Sequence, residues 1–442
     1  MIVILIYMIL TVITWYTVFS LIRILRLSDS LILTVPIFSI YFWSLFGVWG
    51  MVEMHIRGEH HYFEDDLFYV YNDIYYLTSV ILYSLFLFLF IYKIKGFVEK
   101  NKNLKENNGN IIRIINYVIR LKNSKFYFLI ICSFFIVFIY FAKQDISNAI
   151  LTGKSAYEIS RFDSSAGIFR TLFQFSGDSF AFLSLPLFVP TGRTSYRVYL
   201  VALLFFVFVI LNFVLGNRGV LLTTVGAYLL LYTEIKGLKK SLSLRNIIIL
   251  MSLVLIAQLV SFLRGMTVES LVAGEGEATL MGLLESLTGS SEKYASHISM
   301  YGVLKYDVPL TYGSSLLFLL SSLIPTFLGF ERPLDSYVYY INQIGAGDLE
   351  QGFTINHITG WYINFGIFGV IIGALVWSSI LLWFYKKRSG FLSMYAAIIF
   401  SVLSIQMIRA GIESYKGVLI MSILIPILIM KFSLVKFVWR NA

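Results

Sequence analysis

Long apolar runs separated by short polar segments recur along the whole chain. A helix needs about 17–25 predominantly apolar residues to cross the hydrocarbon core of a bilayer. The first run has no basic residue before Arg23, so we expect a retained spanning helix and not a cleaved signal peptide. The clear runs predict spanning helices near residues 1–22, 31–52, 74–92, 126–142, 197–215, 219–235, 246–263, 361–385, 391–408 and 417–437.

Residues 166–190 form a weaker run, because Arg170 and Asp178 interrupt it. Cytoplasmic loops of membrane proteins are enriched in Lys and Arg. Residues 93–125 carry nine basic residues and two acidic ones, and residues 236–245 carry four basic residues and no acidic one. Both loops can face the cytoplasm only if an even number of helices separates them. We therefore predict that residues 166–190 also span the membrane.

The same count gives the opposite result for residues 313–330, which are uncharged but contain a central proline. A further crossing there would place the basic residues at 386–388 on the wrong side, so a re-entrant or interfacial segment is predicted. The predicted fold is an all-α polytopic membrane protein with about 11 transmembrane helices, its N-terminus outside and its C-terminus inside.

Three regions follow from this topology. Residues 1–263 hold helices 1–8, with 93–125 and 236–245 as cytoplasmic basic loops, of which 93–125 resembles a solvated, partly flexible linker. Residues 264–360 form one long extracytoplasmic loop with ten acidic and four basic residues. Residues 361–442 hold helices 9–11.

Composition agrees with a membrane protein and narrows its partners. Hydrophobic residues make up 58% of the chain, and the mean hydropathy is +0.79, so polar groups could not cover a soluble surface. The net charge of +10 comes largely from loops that orient the helices, so we do not expect nucleic acid as a partner. The single cysteine, Cys132, excludes an intramolecular disulfide.

Several arginines lie in spanning helices, at their outer ends or on the adjoining loop: Arg161, Arg170, Arg218, Arg264 and Arg409. A charged residue at the centre of a spanning helix costs about 2.5–3.5 kcal/mol on insertion scales. Each arginine could be an anchor or pair with an acidic neighbour. Together they predict an outward-facing anion site, because the guanidinium fork binds phosphate and carboxylate through two parallel hydrogen bonds.

A second candidate lies at the end of the long loop, in the stretch "NHITGWYINFGIFGV" at 356–370. His357 is expected at the outer interface, where a neutral imidazole can accept a proton from a hydroxyl. The alternative is a structural histidine that is hydrogen-bonded to the backbone. Gly366, Gly369 and Gly373 form a stripe of small residues that favours close helix packing.

The segment 53–66, "EMHIRGEHHYFEDD", is rich in histidine and acidic residues. Its spacing matches no recognised ligand set, so a solvated acidic loop is favoured over a metal site. We expect neither a metal ion nor another cofactor.

Two stretches together resemble a known family. A short outer turn, "GNRG" at 216–219, leads into an apolar helix, and a long extracytoplasmic loop ends in a histidine followed by "YINFGIFGV". Over roughly residues 197–410 this arrangement is similar to the bacterial O-antigen and capsule repeat-unit polymerases of the Wzy type.

The resemblance implies a glycosyltransferase in the bacterial inner (cytoplasmic) membrane that acts on the outer face of that membrane. Its donor and acceptor would be oligosaccharides linked to polyprenyl diphosphate (undecaprenyl diphosphate), and its product would be the O-antigen of lipopolysaccharide or a capsular polysaccharide. A regulator of chain length is a further expected partner. Arginines, with Arg218 and Arg264 foremost, would stabilise the diphosphate leaving group. His357 is the first candidate for the base and Glu413 is the second.

Other functions are open at this point. A transporter or flippase of lipid-linked oligosaccharide would use Arg170 and Asp178 as a gating or proton-relay pair. A glycan transferase similar to the O-antigen ligases would use the same site with a different acceptor. A structural membrane scaffold is the remaining alternative.

Overall fold

The computed structural model describes residues 2–49, 52, 62–63, 68–69, 73–101, 108–152, 167–191, 195–215, 218–237, 291–321, 333–345, 355–408 and 411–434. Helices dominate these residues, so the predicted all-α class is confirmed. The described exception is a two-residue antiparallel ladder between Tyr62–Phe63 and Phe68–Tyr69.

The helices up to residue 236 are α1 Ile2–Ser28, α2 Thr34–Tyr41, α3 Ile74–Lys100, α4 Asn108–Asn123, α5 Lys125–Thr152, α6 Gly167–Phe188, α7 Tyr196–Val214 and α8 Arg218–Lys236. A π-helical segment, Phe42–Phe46, continues α2.

The later helices are α9 Ser291–Lys305, α10 Ser314–Ser321, α11 Ser336–Gln343, α12 His357–Lys386, α13 Phe391–Met407, α14 Ser414–Lys416 and α15 Ile425–Phe432. A second π-helical segment, Gly417–Leu424, joins α14 to α15.

Among the described residues, four helical segments are long and apolar enough to cross a membrane: Ile2–Ser28, Ile74–Lys100, Lys125–Lys143 and His357–Lys386. Shorter apolar helices cover Thr34–Trp49, Tyr196–Asn212, Phe391–Met407 and Gly417–Phe432. These lengths and compositions support a helical protein embedded in a membrane. The predicted helix at 246–263 lies outside the described residues.

The chain divides into two compact units. The first comprises residues 1–105, 290–387 and 400–418, and the second comprises residues 106–289, 388–399 and 419–442.

In the first unit α1 and α3 run parallel. The rings of Tyr16 and Phe88 contact each other in a tilted arrangement. Further toward the C-terminal end of both helices, Arg23 forms a 2.7 Å ion pair with Glu99. The chain then returns along α1, because the Tyr41 hydroxyl lies 2.8 Å from Thr14 Oγ1. The first two runs of the sequence therefore form an antiparallel pair, and α3 repeats the direction of α1.

Helix α12 is not one straight helix. Phe365 and Gly366 have non-helical backbone angles, and Gly366 adopts φ +61°, a conformation that favours glycine. The rings of His357 and Trp377 lie 4.9 Å apart, whereas twenty residues of unbroken helix would separate them by about 30 Å. The first part of α12 therefore folds back along the second part.

Glycines make this reversal of α12 compact. A Cβ on Gly369 would lie 1.9 Å from the Trp361 carbonyl oxygen, and a Cβ on Gly373 would lie 2.6 Å from the Trp361 ring. The glycine stripe in the sequence thus brings two parts of the same helix together. The single helix predicted at 361–385 begins instead at His357 and contains a break.

In the second unit buried polar groups connect helices α4, α5 and α6. The Lys122 ammonium donates to the Val189 carbonyl oxygen at 2.5 Å and to Thr191 Oγ1 at 3.0 Å. The Tyr127 hydroxyl donates to the Leu183 carbonyl oxygen at 2.6 Å. These bonds satisfy polar groups that an apolar environment would otherwise leave unpaired.

The linker expected at 93–125 is partly wrong. Helix α3 continues to Lys100, and α4 occupies residues 108–123, with Ile114, Val118 and Leu121 buried. Their spacing of four and three residues places these side chains on one face of an amphipathic helix. The many charged residues of the segment favour a solvated loop, and the apolar stripe lies between them.

Candidate functional site

The candidate site is built around the start of α12 in the first unit. Asn356 precedes the helix and caps it, since its side-chain oxygen accepts a 2.9 Å bond from the backbone N–H of Ile358. Its amide nitrogen donates to Ser44 Oγ at 3.1 Å, and its backbone N–H donates to Ser299 Oγ at 3.0 Å. The capping residue thereby fixes where α12 begins and where His357 lies.

His357 is fully buried and forms hydrogen bonds with the turn that follows α13. Its backbone N–H donates to the Ile408 carbonyl oxygen at 2.7 Å, and its Nδ1 lies 2.7 Å from the Gly411 carbonyl oxygen. Its Nε2 accepts a 3.3 Å bond from Trp361 Nε1. Both ring nitrogens therefore have hydrogen-bond partners, which is the arrangement expected of a structural histidine bonded to the backbone. The role of His357 as a base stays a prediction.

Glu413 lies on the same turn and contacts the start of α11. Its two carboxylate oxygens accept bonds from Ser336, one from the backbone N–H at 2.7 Å and one from the hydroxyl at 2.8 Å. Ser336 is the first residue of α11, so the carboxylate also faces the positive end of a helix. His357 and Glu413, the two candidates for a base, therefore meet at one turn.

Two effects act on the ionisation of Glu413. Burial raises the pKa of its carboxyl above the ordinary value, and the hydrogen bonds from Ser336 oppose that rise. A carboxylate whose pKa is raised toward neutrality is a better general base than an ordinary surface carboxylate.

Gly411 allows this turn to form. Its φ is +72°, and a Cβ at this position would lie 2.6 Å from Glu413 Oε2 and 3.0 Å from the Ile355 side chain. Its carbonyl oxygen accepts a second bond, from Ser414 Oγ at 2.7 Å. Glycine is needed here for its backbone conformation and for the close approach of the carboxylate.

A buried hydroxyl network lies beside His357. Thr359 Oγ1 is 3.0 Å from the Tyr83 hydroxyl and 3.0 Å from Ser299 Oγ. The Tyr83 hydroxyl also accepts a 3.3 Å bond from the backbone N–H of Met300. These bonds join α3, α9 and α12 and make the surroundings of the turn rigid.

Asn364 stabilises the break in α12. Its amide nitrogen donates to Ser315 Oγ at 2.7 Å and to the Gly360 carbonyl oxygen at 2.8 Å, and its Oδ1 lies 3.1 Å from Thr311 Oγ1. The backbone N–H of Thr311 donates to the Ile363 carbonyl oxygen at 2.9 Å. A helical carbonyl that the break would leave unpaired is thus satisfied by the segment before α10.

The predicted arginine cluster lies largely outside the described residues. Arg161, Arg264 and Arg409 lie outside the described residues. Arg170 is on α6 and Arg218 begins α8, but their side chains are outside the described part. Asp178, also on α6, is half-buried. The convergence of the arginines therefore stays a prediction.

The histidine-rich segment 53–66 is described only at its Tyr62–Phe63 backbone. Within the described ranges, no group of three or more His, Cys, Asp or Glu side chains is arranged to hold a metal ion.

Sequence reasoning missed Ser336, Asn364 and the network around Tyr83. For Asn364 a signal was present, because an amide in an otherwise apolar run needs a partner at membrane depth. For Ser336 there was none, since its contact with Glu413 joins residues that are distant in sequence. Comparison with protein-family models, curated proteins and solved structures found no match for this chain.

Proposed function

We propose that this protein is a membrane glycosyltransferase that polymerises oligosaccharide repeat units carried on polyprenyl diphosphate. The observation that carries the proposal is the carboxylate of Glu413, which is held by two bonds from Ser336. Arg409 lies four residues before Glu413 in the sequence. Glycosyl transfer from a diphosphate needs a base for the acceptor hydroxyl and cations for the leaving group. Glu413 would supply the first and arginine the second.

In this proposal Glu413 replaces His357 as the first candidate for the base. The Glu413 side chain is partly accessible, whereas that of His357 is fully buried with both nitrogens engaged. An acceptor hydroxyl must come within hydrogen-bond reach of the base. The apolar faces of the helices would hold the polyprenyl chains of donor and acceptor.

The proposed topology is eleven spanning helices with the N-terminus outside, in the bacterial inner membrane. The parallel course of α1 and α3 supports it, because Arg23 and Glu99 then lie at the same side as the basic segment 93–125. In a Cys132→Ser background, Asp348→Cys should react with an impermeant maleimide in intact cells, and Asn103→Cys should not. The reverse pattern would refute the topology.

The function is tested by replacing the base and the diphosphate ligands in cells that make the polymer. Glu413→Gln removes the proton acceptor and should lower the rate of polymerisation by about 10²–10⁴-fold. Arg218→Ala and Arg264→Ala should abolish long polymer while the protein still inserts. Asp307→Asn is the matched control, since Asp307 is exposed and its φ of +48° suits asparagine. Polymer of normal length from the Glu413 variant would contradict the assignment.

A second candidate function, transport of the lipid-linked oligosaccharide, is favoured by the break in α12. Exposed apolar side chains from Ile367 to Trp383 mark the second part of α12 as facing lipid, and His357 lies beside Trp377 within that length. Broken helices with polar groups near the middle of the bilayer are typical of transporters. Flipping of the intact donor in proteoliposomes without any change in its length would favour this function.

A further inference from the structure

The partners of the His357 ring fix which of its nitrogens carries the proton. A backbone carbonyl oxygen can only accept a hydrogen bond, so Nδ1 must donate to Gly411 across the 2.7 Å contact. An indole N–H can only donate, so Nε2 must accept from Trp361. The ring is therefore neutral with its proton on Nδ1, and a second proton on Nε2 would face the N–H of Trp361 inside a fully buried site.

The ring is also held in place by its packing. The Trp377 ring lies 4.9 Å from it and the Tyr415 ring 4.8 Å from it, centroid to centroid. Trp361, which donates to Nε2, is itself packed against Gly369 and Gly373 by the reversal of α12. The histidine therefore joins the folded-back helix to the turn after α13.

The carbonyl that His357 contacts belongs to Gly411, the residue against which the Glu413 carboxylate packs. Gly411 lies two residues before Glu413, and its carbonyl is held by His357 from one side and by Ser414 from the other. Ser336 holds the carboxylate itself. The Glu413 side chain is thus held at its oxygens by Ser336, and the turn that carries it is held two residues earlier by His357.

We propose that His357 is a positioning residue, which donates through Nδ1 to the Gly411 carbonyl and so aims the Glu413 carboxylate at the acceptor. This role rests on the proposed function, and it differs from the role of a base, which would require a free Nε2. A displacement of about 1 Å in a reacting group can lower a rate by about 10²-fold. Loss of the Nδ1 donor should have an effect of this size.

Two conservative variants separate the roles of the ring nitrogens. Asparagine places an amide N–H near the position of Nδ1, whereas glutamine reaches the position of Nε2. We expect His357→Asn to polymerise within about threefold of the wild type and His357→Gln to lose about 10²-fold. Equal activity of the two variants, or activity only in His357→Gln, would overturn the proposal.

A spectroscopic measurement tests the same inference without relying on activity. The chain has five histidines, so ¹⁵N-histidine labelling in lipid nanodiscs gives few signals, and the His357 pair is identified by its loss in His357→Asn. The expected result at pH 7 is a protonated Nδ1 and an unprotonated Nε2. Protonation at Nε2, alone or together with Nδ1, would overturn the inferred bond from Nδ1 to the Gly411 carbonyl. If the tautomer is as expected but the wild-type protein makes no polymer, the proposed function fails, whereas the inferred bond from Nδ1 to Gly411 is retained.

Discussion

Glu413 has a carboxylate whose two oxygens are both held by Ser336, through the backbone N–H and through the hydroxyl. The backbone bond also satisfies an N–H at the start of α11, which has no partner within its own helix. The hydroxyl bond is therefore the one that can be removed without disturbing the helix. Substitution of Ser336 can therefore change the pKa of Glu413 while α11 keeps its backbone bond.

Ser336→Ala should shift the acid limb of the pH–rate profile to higher pH. The hydroxyl bond lowers the pKa of Glu413, so its loss lets burial raise that pKa further. A hydrogen bond to a charged group contributes about 1.5–3 kcal/mol, so its removal is large enough to displace the acid limb measurably. Because the base must be ionised, activity should fall at a higher pH in the variant than in the wild type.

Measurement of kcat/KM against pH checks this prediction. Ser321→Ala is a suitable control, because the one described bond of the Ser321 hydroxyl goes to a carbonyl oxygen of its own helix, that of Phe318. An acid limb that stays in place in Ser336→Ala would show that Glu413 is not the group whose protonation limits the rate.

Among the helices, the reversal of α12 depends on the absence of side chains at Gly369 and Gly373. Gly373 can be compared with a glycine in another long helix, Gly96. A Cβ at Gly373 would lie 2.6 Å from the Trp361 ring, whereas a Cβ at Gly96 in α3 would meet no described residue within 4 Å. These positions form a matched pair, since both lie in long apolar helices and differ in what surrounds them.

Gly373→Ala should destabilise the first unit, because Trp361 must move away and its bond to His357 is then lost. Overpacking of this kind costs about 1–3 kcal/mol. Gly96→Ala should be neutral or stabilising by about 0.5–1 kcal/mol, since alanine is the better helix former. Thermal unfolding of both variants in the same detergent distinguishes them. A melting temperature for Gly373→Ala equal to that of Gly96→Ala would contradict the observed packing.

The sequence predicted the elements better than the contacts between them. Apolar runs indicated the long helices at 74–92 and 126–142 and the shorter helix at 391–408, because a sustained apolar run is itself visible in the sequence. It did not reveal the break at Gly366, since the apolar run continues through it and the bonds beside the break, from Asn364 and Thr311, are tertiary contacts. It also pointed to Glu413 and His357, but not to their bonds with Ser336 and Gly411, because these bonds join residues that are distant in sequence.

Across the whole molecule, the proposed function combines apolar helices suited to a lipid carrier with the Glu413 carboxylate, which is held at one turn. The helices would keep donor and acceptor in the same membrane, and the turn would receive the acceptor hydroxyl. A polymerase must join two lipid-linked substrates, whereas a transporter moves one substrate unchanged. The length of the product therefore distinguishes the two functions.

The most direct test is the reaction itself. Purified protein in proteoliposomes is incubated with a polyprenyl-diphosphate-linked repeat unit, and the products are separated by size. We expect a ladder that increases by one repeat unit per step with the wild-type protein and is lost in Glu413→Gln. A single repeat unit that stays unextended with active, correctly inserted protein would contradict the central claim.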